Sequence, residues 1–193
     1  ILTLCLFTCA PTAIHKDVET SVTEETEVLS DNGAELDVHI SPDDDVAEVF
    51  KNLSDKVQRI AFEPGDYLVK DTIHLPRTGG LVIIDGNGAN LKLASMGFYS
   101  MPSSKDEAML YNHTRYLIRN FSTISGGERG VMLGSSFDTV IENIEFVGQK
   151  EAAIDLIFCL MSTIENVLVT NNYNDGIVLR TGKNIDTKEL EWS

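Results

Sequence analysis

Basic residues are scarce in this chain: 15 Lys and Arg stand against 30 Asp and Glu, for a formal net charge of −15. A chain of that sign with no Lys/Arg stripe repels phosphate backbones, which excludes nucleic acid as a partner. The same charge works against an anionic polymer unless local Lys or Arg, or a bridging cation, intervenes. Cysteine is nearly absent. Cys5 and Cys9 fall in the first ten residues, leaving only Cys159 beyond them, so a mature domain has no internal disulfide. Cys159 lies in the apolar run IDLIFCLM and reads as core or turn filler rather than a nucleophile. The four His residues (15, 39, 74 and 113) are dispersed, without the spacing of a transition-metal site. Aromatic residues at outward positions are few, and the single Trp is Trp192.

What is present divides the chain into three parts. Residues 1–13 begin with ILTLCLFTCA, apolar but too short to span a bilayer, followed by Pro11 and small residues. That pattern is expected of the remnant of an export signal, cleaved after Ala13. Leu6-Phe7-Thr8-Cys9 also resembles a loose lipobox, which makes Cys9 a candidate lipid anchor and the only expected link to a membrane. The expected location is secreted, cell-surface or periplasmic. Residues 14–42 are rich in Thr, Ser, Glu and Asp without a sustained apolar period, as in an acidic flexible linker. Residues 43–193 form the third part. A helix is expected over 43–57, with Ser41 as N-cap, Pro42 in the first turn and an apolar stripe of Val46, Val49, Phe50, Leu53 and Val57.

From Ile60 the pattern changes to short apolar runs broken by turn residues, as in strands. From residue 108 the chain aligns in rows of 23. Ala108, Val131, Ile154 and Ile177 share a column, as do Leu110, Leu133, Leu156 and Leu179. Further columns are Ile118, Ile141 and Ile164; Asn120, Asn143 and Asn166; Phe121, Ile144 and Val167; and Thr123, Phe146 and Val169. Gly130, Ala153 and Gly176 form a column of small residues, consistent with a tight corner. Coils of this kind cannot bury their inner faces alone, and stacking them about 4.8 Å apart makes continuous parallel sheets. The expected fold is all-β: a right-handed parallel β-helix solenoid with an N-terminal amphipathic capping helix. The handedness follows from strand twist. Residues 94–107 fit no row and read as an insertion. The last row ends on Leu190 and Trp192 without a polar cap, which reads as a chain continuing past Ser193.

Pro64-Gly65-Asp66-Tyr67 and Gly86-Asn87-Gly88, set between apolar strands, resemble the N-terminal coils of the pectin-lyase-like superfamily. The resemblance implies an exported carbohydrate-active protein, a polysaccharide lyase or glycoside hydrolase acting on extracellular polysaccharide as a monomer. The alternative is a non-catalytic surface module for glycan or protein binding. Asn174-Asp175-Gly176-Ile177 resembles the N-x-D-G-I strand of polygalacturonase-like hydrolases, except that Asn and Asp are adjacent here; it is also a plain turn sequence. Asp155, Asp175 and Arg180 are the candidate catalytic residues. Asp155 stands among apolar neighbours, where a carboxylate can have a raised pKa, bind a cation or point into water. The superfamily's lyases imply Ca²⁺ as a cofactor, with Asp155 and Asp175 as ligands and Arg129, Lys150, Arg180 or Lys183 as base. On another outer column Arg119, Glu142, Glu165 and Lys188 read as surface ion pairs, with Glu142/Glu165 as a second acid–base candidate.

Overall fold

The computed structural model describes residues 37–110 and 113–180; the expected export signal, Cys9, most of the expected linker, Lys183, Lys188, Leu190 and Trp192 lie outside them. The described residues form a parallel β-solenoid built on rungs of about 23 residues. One sheet stacks β1 (Asp37–Ile40), β2 (Arg59–Phe62), β5 (Leu81–Asp85), β8 (Arg115–Arg119), β11 (Val140–Val147) and β13 (Thr163–Thr170) in that order. The second halves of β11 and β13 carry on into a second face. There β11 pairs with β9 (Thr123–Gly126), which pairs with β6 (Asn90–Leu93) and then β3 (Asp66–Val69). A separate sheet, the third face, stacks β4 (Ile73–His74), β7 (Phe98–Ser100), β10 (Arg129–Gly134), β12 (Ala152–Ile157) and β14 (Asp175–Arg180).

The bend between the first two faces is the Asn column. Asn120, Asn143 and Asn166 all have positive φ, 58°, 56° and 50°, a left-handed conformation that Asn tolerates better than other side chains. Their amides form a ladder: Asn166 Nδ2 donates to Asn143 Oδ1 at 3.2 Å, and Asn143 Nδ2 to Asn120 Oδ1 at 3.1 Å. Asn120 Nδ2 continues it to Asp85 Oδ1 at 3.1 Å. Inside the bend, Ile118 and Ile141 are fully buried and Ile164 is half-buried on the last described rung. Gly130 sits where an added Cβ would come within 2.5 Å of the Phe146 ring, and at Gly97 it would come within 2.1 Å of the Gly130 carbonyl. The small-residue column therefore marks a close approach, and it begins one coil earlier than the sequence rows placed it.

Register corrects four expectations. Asp37–Ile40, expected as the end of the linker, is a strand paired with β2. The helix α1 covers only Val46–Lys51, and its N-cap is Asp45, which accepts from Glu48 N at 3.2 Å. Ser41 is instead held in a turn, donating its N–H and Oγ to Asp44 Oδ2 at 2.7 and 2.9 Å. The apolar stripe is nonetheless as expected: Val46, Phe50 and Val57 are buried, and Val49 and Leu53 pack against the core. Phe50 enters an aromatic group with Phe62 and Phe98, ring centroids 6.5 and 6.2 Å away.

The insertion also moves. Phe98 pairs with Val131, so residues 98–100 are a rung strand and the extra residues follow it, including α2 (Lys105–Leu110). Ala108 and Leu110 are on that helix rather than in the ladder, and the outward partner of Met132 is Tyr99. The insertion is held by Arg77, which donates to the carbonyls of Gly134 and Ser135 at 2.9 and 3.0 Å and lies 3.8 Å from Glu107. Finally, Phe146 pairs with Ile124, not Thr123, because β9 enters one residue later than β11 does. Ile177 and Leu179 keep the expected register with Ile154 and Leu156 but are exposed on the last described rung.

Replacing Asn143 by Ala removes both ladder bonds and strains a positive-φ position, an expected loss of about 1–3 kcal/mol. Asn143→Gly should recover the backbone share of that loss, read as the denaturant midpoint of the two variants.

Candidate functional site

The outer face of the third sheet is the part of the solenoid where charged and aromatic side chains converge. Parallel register sets His74, Tyr99, Met132, Asp155 and Val178 in one outward column, one per rung. Asp155 comes from the middle of β12, whose alternate residues Ile154 and Leu156 fill the core. An outward carboxylate would ordinarily be solvated, yet Asp155 is 0% exposed. Two guanidinium groups converge on one of its oxygens. Arg180 Nη2 donates to Oδ2 at 2.8 Å, and Arg129 Nε lies 3.1 Å from the same atom. Oδ1 has no hydrogen-bond partner. Burial pushes the carboxyl above its ordinary pKa, outweighing the opposite pull of Arg180 and Arg129. Of the three fates open to Asp155 in the sequence, the raised pKa is the one found.

Arg129 is itself buried and also pairs with Glu151. Beside this network a cleft of about 430 Å³ is walled by Arg129, Glu151, Asn174, Asp175, Val178 and Arg180. Asp175 and Arg180 therefore share one site, whereas Asp155 lies beneath it and forms no part of its wall. Asp175 is exposed and opens β14 in register with Ala152. Its carbonyl accepts from Asn172 Nδ2 at 3.0 Å, so the segment also serves as the turn that its sequence resembles.

The remaining candidates are elsewhere. Glu142 and Glu165 are in register on the first sheet, away from this cleft. There Arg119 lies 4.0 Å from Glu142, the ion pair expected of that column, and 3.0 Å from the buried Asp85, which the rows did not include. Lys150 is exposed and lines no part of the cleft. Cys159 is half-buried, with its thiol pushed up by burial and Ser136 Oγ 3.1 Å from the sulfur, which makes it a poor nucleophile.

Comparison with protein families, with curated proteins and with solved structures found no match to this chain. The parallel β-helix rests on its rungs alone.

Calcium does not fit here. Asp155 is sealed from solvent with two guanidinium groups on Oδ2, whose charge repels a cation, and no cluster of three or more potential ligands occurs among the described residues. The sequence pointed to Arg129 only as a candidate base, and Glu151 and Tyr99 were missed as partners of this face. Rows of 23 compare side chains directly across a rung, but Arg129 and Arg180 reach Asp155 diagonally. Tyr99 was hidden by the misplaced insertion.

Asp155→Asn trades a carboxyl oxygen for an amide that cannot accept from both guanidinium groups, with an expected destabilisation of about 1–3 kcal/mol. The native carboxyl has the raised pKa, so the folded state holds its proton more tightly than the unfolded chain does. This group's contribution to stability thus rises as pH falls from neutral through the folded pKa toward the ordinary Asp range. Denaturation of both proteins across that interval should show wild type gaining on Asp155→Asn as the pH falls.

Proposed function

We propose that this protein is an exported carbohydrate-active β-helix protein that engages an extended polysaccharide along the outer face of the third sheet. The observation that carries this reading is the cleft where Asp175, Arg180, Arg129 and Glu151 meet, at one end of an outward column that also bears Tyr99 and His74. Rungs about 4.8 Å apart give such a face a regular, shallow relief suited to a polymer laid along the axis. The pectin-lyase-like resemblance of the N-terminal coils points to the same substrate class, as does the export signal read in residues 1–13.

In a hydrolytic reaction one water adds across the glycosidic bond. Its hydroxyl goes to the anomeric carbon and a proton goes to the leaving oxygen. Asp175 is the exposed carboxylate of the cleft and the candidate general base. Glu151 is the candidate acid once substrate displaces it from Arg129, and Arg180 contacts the sugar. Asp155 is a positioning residue in this scheme, because it reaches the cleft only through the two guanidinium groups it holds.

A second reading, non-catalytic glycan binding at the cell surface, is favoured by one observation. The carboxyl with the raised pKa is sealed away from any substrate.

The test is incubation of the full chain with neutral and uronate polysaccharides, with and without chelator. New chain ends, unaffected by chelator and reduced about 10²-fold or more in Asp175→Asn, support catalysis. Binding without new ends supports the second reading. Neither binding nor cleavage of any polymer overturns both.

A further inference from the structure

The outward column of the third sheet continues past Tyr99 to His74, the last residue of β4. The two rings stand edge to face, centroids 5.3 Å apart and planes at 82°. Beyond His74 a second cleft of about 640 Å³ opens between β4 and α1, within the size range of small-ligand sites. Its lining combines the His74 ring, Pro76 and Leu53 with the polar groups of Asp71 and Thr72. Lys51, on the helix side, is paired with Glu48 at 3.2 Å. Among the described residues no cation pairs with Asp71 or with Asp45, which also borders the cleft.

We propose that this cleft is a saccharide subsite that takes one uncharged pyranose unit, seated against the His74 ring with its hydroxyls toward Asp71 and Thr72. The inference rests on the glycan reading above and specifies the sugar at one end of the same face. A pyranose has an apolar C–H face and a rim of hydroxyl groups. This lining offers a flat ring for the first, and carboxylate and hydroxyl oxygens for the second. The edge contact with Tyr99 fixes the imidazole before a ligand arrives, which lowers the ordering cost of binding. Charge decides which sugar enters. A uronate carboxylate would face Asp71, Asp45 and Glu48, with the one cation of the lining, Lys51, already paired to Glu48, whereas the cleft at the other end of the column is walled by Arg129 and Arg180. The face therefore selects for position along the polymer, with a neutral unit at the helix end.

The experiment is an NMR titration of the full chain with cellotetraose, mannotetraose and galactotetraose, and separately with tetragalacturonate. At least one neutral oligomer should shift the His74 ring and the Asp71 and Thr72 amides, while tetragalacturonate leaves them in place. His74 is exposed, so His74→Ala should keep its fold by circular dichroism and bind the neutral oligomer at least about tenfold more weakly. Asp71→Lys should admit tetragalacturonate. The inference is overturned if no neutral oligomer moves His74, if His74→Ala binds as tightly as wild type, or if the uronate moves His74 equally. Shifts confined to the Arg129–Arg180 cleft overturn this inference and leave the glycan reading standing. An absence of shifts anywhere removes both.

Discussion

A parallel solenoid works only if every coil turns the same corner, because a rung whose backbone departs from its neighbours loses the ladder above and below it. In this chain the corner is a single left-handed residue between two strand segments, and Asn fills it on three successive rungs. The cost of the left-handed backbone, about 1 kcal/mol or more per residue in general, is offset locally by amide bonds that run from rung to rung and finish on Asp85. With the corner fixed, Ile118, Ile141 and Ile164 fall in register on one side and Ile124, Phe146 and Val169 on the other. The inner columns, the small-residue approach at Gly97 and Gly130, and the placement of the third sheet all follow from that repeated bend.

The same regularity explains why the functional chemistry gathers on one face. Outward positions of a stacked sheet are aligned as strictly as inward ones, so a charge placed on one rung meets whatever the adjoining rungs present. On the first sheet this gives Asp85–Arg119–Glu142, in which a buried carboxylate and a part-exposed one share one guanidinium. On the third sheet it gives a fully buried carboxylate between two arginines from the rungs on either side. Burying a lone carboxylate is costly, and the paired guanidinium groups reduce that cost without removing it, as the raised pKa of Asp155 records. The result is a fixed pair of guanidinium groups at a cleft whose remaining wall is supplied by Asp175 and Glu151.

The Asn and apolar columns from 118 to 169 were legible in sequence because they repeat both spacing and residue type. Phe98–Ser100 was not, since the coil that follows it carries α2 and breaks the period. The one-residue offset at Ile124 was hidden because Thr123 and Ile124 are both common in strands. A second left-handed corner, at Ser135 and Asp138 on one rung and Phe158 and Met161 on the next, gave no signal. Phe and Met are residues that rarely take positive φ, and here tertiary stacking imposes it. Of the candidate site, Asp155, Asp175 and Arg180 were legible as unusual outward residues. Their grouping was not, because diagonal ion pairs leave no periodic trace.

The most direct measurement is amide hydrogen exchange across the full chain, with and without a bound oligosaccharide. A glycan lying along the third sheet should slow exchange in β7, β10, β12, β14 and residues 71–76, and leave the strands beside the Asn ladder unchanged. Protection on the first or second sheet instead, or no protection on the third, would contradict a binding face built around Asp155 and its two arginines.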